Sequence, residues 1–280
     1  MERIGRTLSL VKFSHSIFAL PFALASLLVA TDGRPSARLL LLVIAAMVAA
    51  RTSAMAFNRW ADAEIDKANP RTSGREIPAG LLSRRYTLVL SLGTGLAFLI
   101  ICSLLNWLTL VLAPFVLLLS FGYSFAKRWT PLTHLWLGLA IGISPAGAWI
   151  AATGTLAWPP LILGIAVMLW IAGFDIIYAA QDHEIDLRSN LKSLVVSLGL
   201  ARALGLSRLF HLGSVASFVA FGLIIGAGWI YYGGLLLITA VLAYEQSIVK
   251  PHDLSKVNQA FFTANGVVSF VFLISVMAGR

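Results

Sequence analysis

Nine long apolar runs alternate with short polar segments along the chain, at approximately 13–30, 38–57, 86–105, 107–126, 132–152, 160–178, 204–226, 229–249 and 260–279. Each comes close to the roughly 20 residues that a helix needs to cross a bilayer. The runs are rich in Leu, Ala and Val and lack the period-two alternation of barrel strands, so they predict helices. Arg3, Arg6 and Lys12 ahead of the first run resemble the start of a signal peptide, but eight further runs follow, and the first is read as a helix of the mature protein.

Composition supports the same picture. Of 280 residues, 59% are hydrophobic and only 12% charged, with a mean hydropathy of +0.86. A soluble domain carries about 25% charged residues to cover its surface, so the chain is expected to be integral to a membrane. In a soluble protein the net charge of +9 would raise nucleic acid as a partner; here it raises topology instead, and no nucleic-acid partner is expected. The single cysteine, Cys102, excludes an intrachain disulfide and a Cys-based metal site.

The bases alternate with the runs. Segments on the side of the N-terminus hold 17 of the 21 Lys and Arg, and the opposite side holds only Arg34, Arg38 and Arg280; Arg51 lies inside the second run. By the positive-inside bias the N-terminus is expected to be cytoplasmic and the C-terminus outside; the membrane is expected to be a prokaryotic inner membrane.

The acids are clustered. Eight of 12 fall in two windows: Asp62, Glu64, Asp66 and Glu76, then Asp175, Asp182, Glu184 and Asp186. Both windows sit at the inner ends of even-numbered runs, and Asp62-Ala-Glu-Ile-Asp66 matches Asp182-His-Glu-Ile-Asp186 at an offset of 120 residues, which points to two related halves. Spacings of seven, four and four put Arg51, Asn58, Asp62 and Asp66 on one helical face. Spacings of seven and four do the same for Asp175, Asp182 and Asp186, with Tyr178 beside them. Like charges one turn apart repel, so a cation is expected between them. Hard carboxylate oxygens suit Mg²⁺, which takes one or two carboxylates and fills its shell with water and phosphate oxygens.

Glu64, Glu76 and Glu184 fall off these faces and are expected to be solvated loop charges. The five on-face Asp residues and Arg51 are costly at a membrane without a function. Arg71, Arg75, Tyr123, Lys127 and Lys192 flank the motifs and suit a diphosphate, although the topology alone also demands bases on this side. The histidines His15, His134, His183, His211 and His252 show no ligand spacing, and no transition-metal site is expected.

These residues resemble the UbiA superfamily of intramembrane aromatic prenyltransferases. Its motifs Asn-x-x-x-Asp-x-x-x-Asp and Asp-x-x-x-Asp occur as Asn58, Asp62, Asp66 and as Asp182, Asp186, inside the longer strings AMAFNRWADAEIDKANPRTSGREIPAG (54–80) and GFDIIYAAQDHEID (173–186). KFSHSIFALPFA (12–23) and HDLSKVNQAFFTANG (252–266) are similar to the branch acting on 4-hydroxybenzoate or 1,4-dihydroxy-6-naphthoate, in ubiquinone or menaquinone biosynthesis. Arg59 stands where many relatives carry Asp, and is expected to mark a branch.

The resemblance spans the chain and implies a single all-α domain over 1–280, with nine transmembrane helices around a central cavity open to lipid. It implies that Asn58, Asp62, Asp66, Asp182 and Asp186 hold Mg²⁺ and diphosphate, with Arg71, Tyr123, Lys127 and Lys192 near the diphosphate. Arg51 and Asn58, with Tyr178, would meet the acceptor. The implied substrates are a polyprenyl diphosphate drawn from membrane lipid and a small aromatic acid: the diphosphate leaves, the ring attacks the allylic cation, and a ring proton is lost. Asp175 is expected to orient or deprotonate the phenol, and Arg51 to pair with the acceptor carboxylate. The competing class is a cation-coupled secondary transporter using the repeated Asp motifs.

Overall fold

The computed structural model describes residues 2–11, 19–260 and 265–279. The start of the first expected run with Lys12 and His15, positions 261–264 of the last similar string, and Arg280 lie outside the described residues.

The helices follow in order: α1 (Glu2–Leu10), α2 (Leu20–Ala30), α3 (Ala37–Ala61), α4 (Ala63–Ala68), α5 (Arg84–Leu105), α6 (Trp107–Ala126), α7 (Thr133–Gly142) and α8 (Ser144–Thr153). Then come α9 (Trp158–Ala179), α10 (His183–Arg188), α11 (Leu194–Leu198), α12 (Leu200–Ile224), α13 (Trp229–Ile248), α14 (Val257–Gln259) and α15 (Asn265–Ala278). Six helical stretches are long and apolar enough to cross a membrane among the described residues: α3, α5, α6, α7 with α8, α9 continuing to Arg188, and α12. Of the other expected runs, one is the 20-residue α13. Two are the shorter apolar helices α2 and α15.

The chain folds as two compact units. One comprises Ser36–Phe125 with residues before position 18, the other Phe18–Pro35 with the chain from Ala126 onward. In the first, α5 shows the rule that builds both. Its outward face carries Val89, Leu92, Leu96, Ile100 and Leu104, all exposed, whereas Ser91, Gly95, Phe98 and Cys102 are buried. Large apolar side chains belong in lipid, which is as apolar as they are, so helices associate through small residues and hydrogen bonds. Ser53 Oγ donates to Ser91 O at 2.8 Å, and Ser91 Oγ returns the bond to Ser53 O at 2.9 Å, clamping α3 to α5.

In the second unit an aromatic cluster is fully enclosed: Phe22 of α2 against Trp170 of α9 (ring centres 5.1 Å apart), Phe218 of α12 (5.8 Å) and Phe272 of α15 (5.0 Å). Ser214 Oγ donates to Ala166 O, and Ser207 Oγ to Gly173 O, joining α12 to α9. Trp107, Trp158 and Trp229 open α6, α9 and α13 in exposed positions, as an interfacial belt requires.

One expected element divides. The run 132–152 is read as a single span, but α7 ends at Gly142 and α8 restarts at Ser144 with a proline in its first turn. Pro145 has no N–H to continue the ladder, and its ring displaces the preceding carbonyl.

Candidate active site

The first acidic window is a helix break within the first unit. Asp62, at φ −94° and ψ 2°, separates α3 from α4. Its N–H still donates to Asn58 O at 2.9 Å, and Asp66 N donates to Asp62 O at 2.8 Å, so the one-turn spacing survives the break. Asn58 Nδ2 accordingly donates to Asp62 Oδ2 at 3.3 Å and to Ser124 Oγ at 3.4 Å, beside Tyr123 at the end of α6. Arg51, two turns earlier on α3, is half-buried, and its Nε has no hydrogen-bond partner among the described residues.

Asp62 and Asp66 are each only 4% exposed. The segment after α4 folds back through Thr72 Oγ1, which donates to Asp66 O at 3.0 Å, and Arg71 N, which donates to Asn69 Oδ1 at 2.9 Å. This return delivers Arg75, whose Nη1 donates to Asp66 Oδ1 at 2.7 Å, and leaves the Arg71 side chain exposed. Asp66 Oδ2 accepts no hydrogen bond among the described residues and lies 4.0 Å from Arg59 Nη1. A buried carboxylate oxygen with nothing to accept fits a hard cation.

One sequence expectation changes here. Glu76, expected as a solvated loop charge, is buried and accepts a hydrogen bond from Ser9 Oγ at 2.5 Å, because the turn after Arg75 tucks it beneath α1. Arg59, expected to mark a branch, is also buried, with its Nε donating to Leu10 O at 3.4 Å.

The second window is a break of the same kind within the second unit. α9 passes through a 3₁₀ turn, Ala180–Asp182, into α10, and Asp182 has φ −96° and ψ 1°. The sequence repeat is therefore also a backbone repeat: a long helix, an aspartate in the bridge conformation, and a six-residue helix. Burial differs, since Asp182 and Asp186 are half-buried. Glu184 is exposed and lies 4.0 Å from Arg188, an exposed pair that contributes little. Lys192 N donates to Lys127 O at 2.7 Å, bringing together two flanking bases 65 residues apart, and Lys192 Nζ donates to Trp129 O at 3.4 Å.

Deeper in α9, Asp175 Oδ2 lies 2.7 Å from His134 Nδ1, and Tyr178 is half-buried one turn on. Sequence reasoning passed over His134, for which nothing but its position inside an apolar run offered a signal. No cluster of three or more metal-type side chains occurs among the described residues. A metal held at these breaks would rely on few carboxylates per ion, as Mg²⁺ does.

Residues 19–267 match the model of the UbiA prenyltransferase family. A 4-hydroxybenzoate octaprenyltransferase of Vibrio cholerae is 32% identical over 244 residues, covering 86% of this chain and 85% of its own. One of Nitrosospira multiformis is 30% identical over 243 residues, covering 87% and 83%. Among solved structures, the apo form of a UbiA homologue from Aeropyrum pernix superposes with a TM-score of 0.86 at 32% identity, covering 95% of this chain and 98% of that one. A UbiA homologue from Archaeoglobus fulgidus bound to DMAPP and Mg²⁺ shares the fold, with a TM-score of 0.78 at 19% identity and 98% coverage of both chains. Nothing in these relatives supports a transporter. The matched region takes in both acidic breaks and 86% or more of the chain aligns with named prenyltransferases, so this protein belongs to the UbiA prenyltransferase family.

Proposed function

We propose that the protein transfers a polyprenyl group from its diphosphate to an aromatic carboxylic acid, 4-hydroxybenzoate or 1,4-dihydroxy-6-naphthoate, in a Mg²⁺-dependent reaction of quinone biosynthesis. The observation that carries this reading is the repeated acidic break, where one carboxylate oxygen of buried Asp66 accepts no hydrogen bond among the described residues. Named 4-hydroxybenzoate octaprenyltransferases support the acceptor class, and a homologue bound to DMAPP and Mg²⁺ supports the donor and metal.

In this reading Asn58, Asp62, Asp66, Asp182 and Asp186 hold Mg²⁺ and the diphosphate, with Arg71, Arg75, Tyr123, Lys127 and Lys192 assisting. When bound, Mg²⁺ supplies Lewis-acid stabilisation of the departing diphosphate. The bases bind and neutralise the same oxygens. Arg51 pairs with the acceptor carboxylate, Asn58 and Tyr178 line its approach, and Asp175 orients or deprotonates the phenol. Apolar helices exclude water that would otherwise capture the allylic cation.

The family match crosses both compact units, which supports treating 1–280 as one domain. The placement of 17 bases against three supports a cytoplasmic N-terminus with both Asp motifs on that side of a prokaryotic inner membrane. Purified protein in detergent, given geranyl diphosphate, Mg²⁺ and each acid in turn, should form a prenylated acid without any ion gradient. Solute counterflow without product would refute the reading.

A further inference from the structure

Asp175 and His134 are brought together where α7 and α9 cross closely. α7 packs on α9 where Gly138, one turn after His134, faces the backbone of Met168: a Cβ on Gly138 would lie 2.3 Å from Met168 O. Gly142 and Gly164 extend the same contact. This crossing fixes the His134 backbone against α9, and the side chain then has one polar act. Its Nδ1 meets Asp175 Oδ2 at 2.7 Å, and its Nε2 is enclosed without a hydrogen-bond partner among the described residues.

That bond assigns the ring proton to Nδ1. The imidazole is 3% exposed, whereas the carboxylate keeps 17%. The ring is thus enclosed and holds a carboxylate that stays partly exposed. Asp175 also stands seven residues, about two turns, before Asp182, away from the acids assigned to the cation.

We propose that Asp175 orients the phenol without deprotonating it and accepts the proton displaced from the aromatic ring, and that His134 is its positioning residue; this rests on the prenyl-transfer reading above. The carbon–oxygen bond of the allylic diphosphate breaks and its electron pair leaves with the diphosphate. A ring π pair forms the new carbon–carbon bond. The ring C–H bond then breaks, its pair restores aromaticity, and the proton passes to an oxygen of Asp175 and on to water. His134 donates to the other side of that carboxylate and keeps the accepting oxygen turned outward.

The test compares wild type, His134→Ala, His134→Asn and Asp175→Asn with geranyl diphosphate, Mg²⁺ and 4-hydroxybenzoate, either protiated or deuterated at both carbons ortho to the hydroxyl. In wild type the isotope effect on kcat is expected near unity. His134→Ala lowers kcat by about a hundredfold, as loss of acid–base assistance does, and a primary isotope effect emerges because proton removal becomes limiting. His134→Asn, whose amide nitrogen takes the place of Nδ1, restores much of kcat and suppresses the isotope effect. Asp175→Asn shows a large isotope effect or no turnover. If wild type turns over but both His134 variants keep an isotope effect of unity, or His134→Ala keeps full kcat, the inference is overturned alone. If wild type forms no prenylated acid, the functional reading fails and the inference falls with it.

Discussion

Arg75 reaches back nine residues to Asp66, donating to Oδ1 at 2.7 Å, while Oδ2 of the same carboxylate accepts no hydrogen bond among the described residues and has Arg59 4.0 Å away. The carboxylate is thus oriented from one side and available on the other. Asp66→Asn should abolish nearly all prenyl transfer. Arg75→Ala should weaken it by about tenfold to a hundredfold, the equivalent of a charge-assisted hydrogen bond of roughly 1.5–3 kcal/mol. Steady-state kinetics over a range of Mg²⁺ concentrations checks the order of the two effects; equal activity of Asp66→Asn and wild type would contradict the assignment.

Chelation provides the second test. EDTA should stop turnover and added Mg²⁺ should restore it. Asp62→Ala and Asp182→Ala should each raise the Mg²⁺ concentration for half-maximal activity, since Mg²⁺ binds through only one or two carboxylates per ion. Isothermal titration of Mg²⁺ with a non-ionising prenyl diphosphate analogue reads the same loss without catalysis.

Arg51 sits two turns before Asn58 with its Nε unpartnered among the described residues. Arg51→Ala should raise KM for 4-hydroxybenzoate by about tenfold to a hundredfold, as loss of a charged hydrogen bond does, and leave KM for geranyl diphosphate nearly unchanged. A phenol lacking the carboxylate should show no difference between wild type and variant.

The close crossing of α7 and α9 makes a stability prediction. Gly138→Val places a Cβ against Met168 O, and overpacking of this kind costs about 1–3 kcal/mol or more. Gly147, with open space around its Cβ position, is the control. Thermal unfolding in detergent should show a lower Tm for Gly138→Val and little change for Gly147→Ala.

Much of the fold was legible because lipid imposes one simple demand, about 20 apolar residues per crossing. The long helices begin and end within a few residues of the apolar runs. The helix break at Ile143 was not legible from hydropathy, although Pro145 announced it. The acidic motifs were legible as a repeat because their carboxylates are few in an apolar chain. Their backbone break at Asp62 and Asp182 was not, since the one-turn spacing is the same in a continuous helix.

By itself, the sequence determined that the chain is helical and membrane-embedded, which side its bases favour, and which aspartates form the paired motifs. Those are properties of composition and short-range spacing. Only the tertiary structure decided that Asp66 is held by Arg75, that Glu76 is buried under Ser9, and that His134 meets Asp175. The partners of the last pair are 41 residues apart. No local pattern encodes such a meeting: it follows from where glycines let α7 and α9 approach, a packing event between segments that hydropathy describes identically.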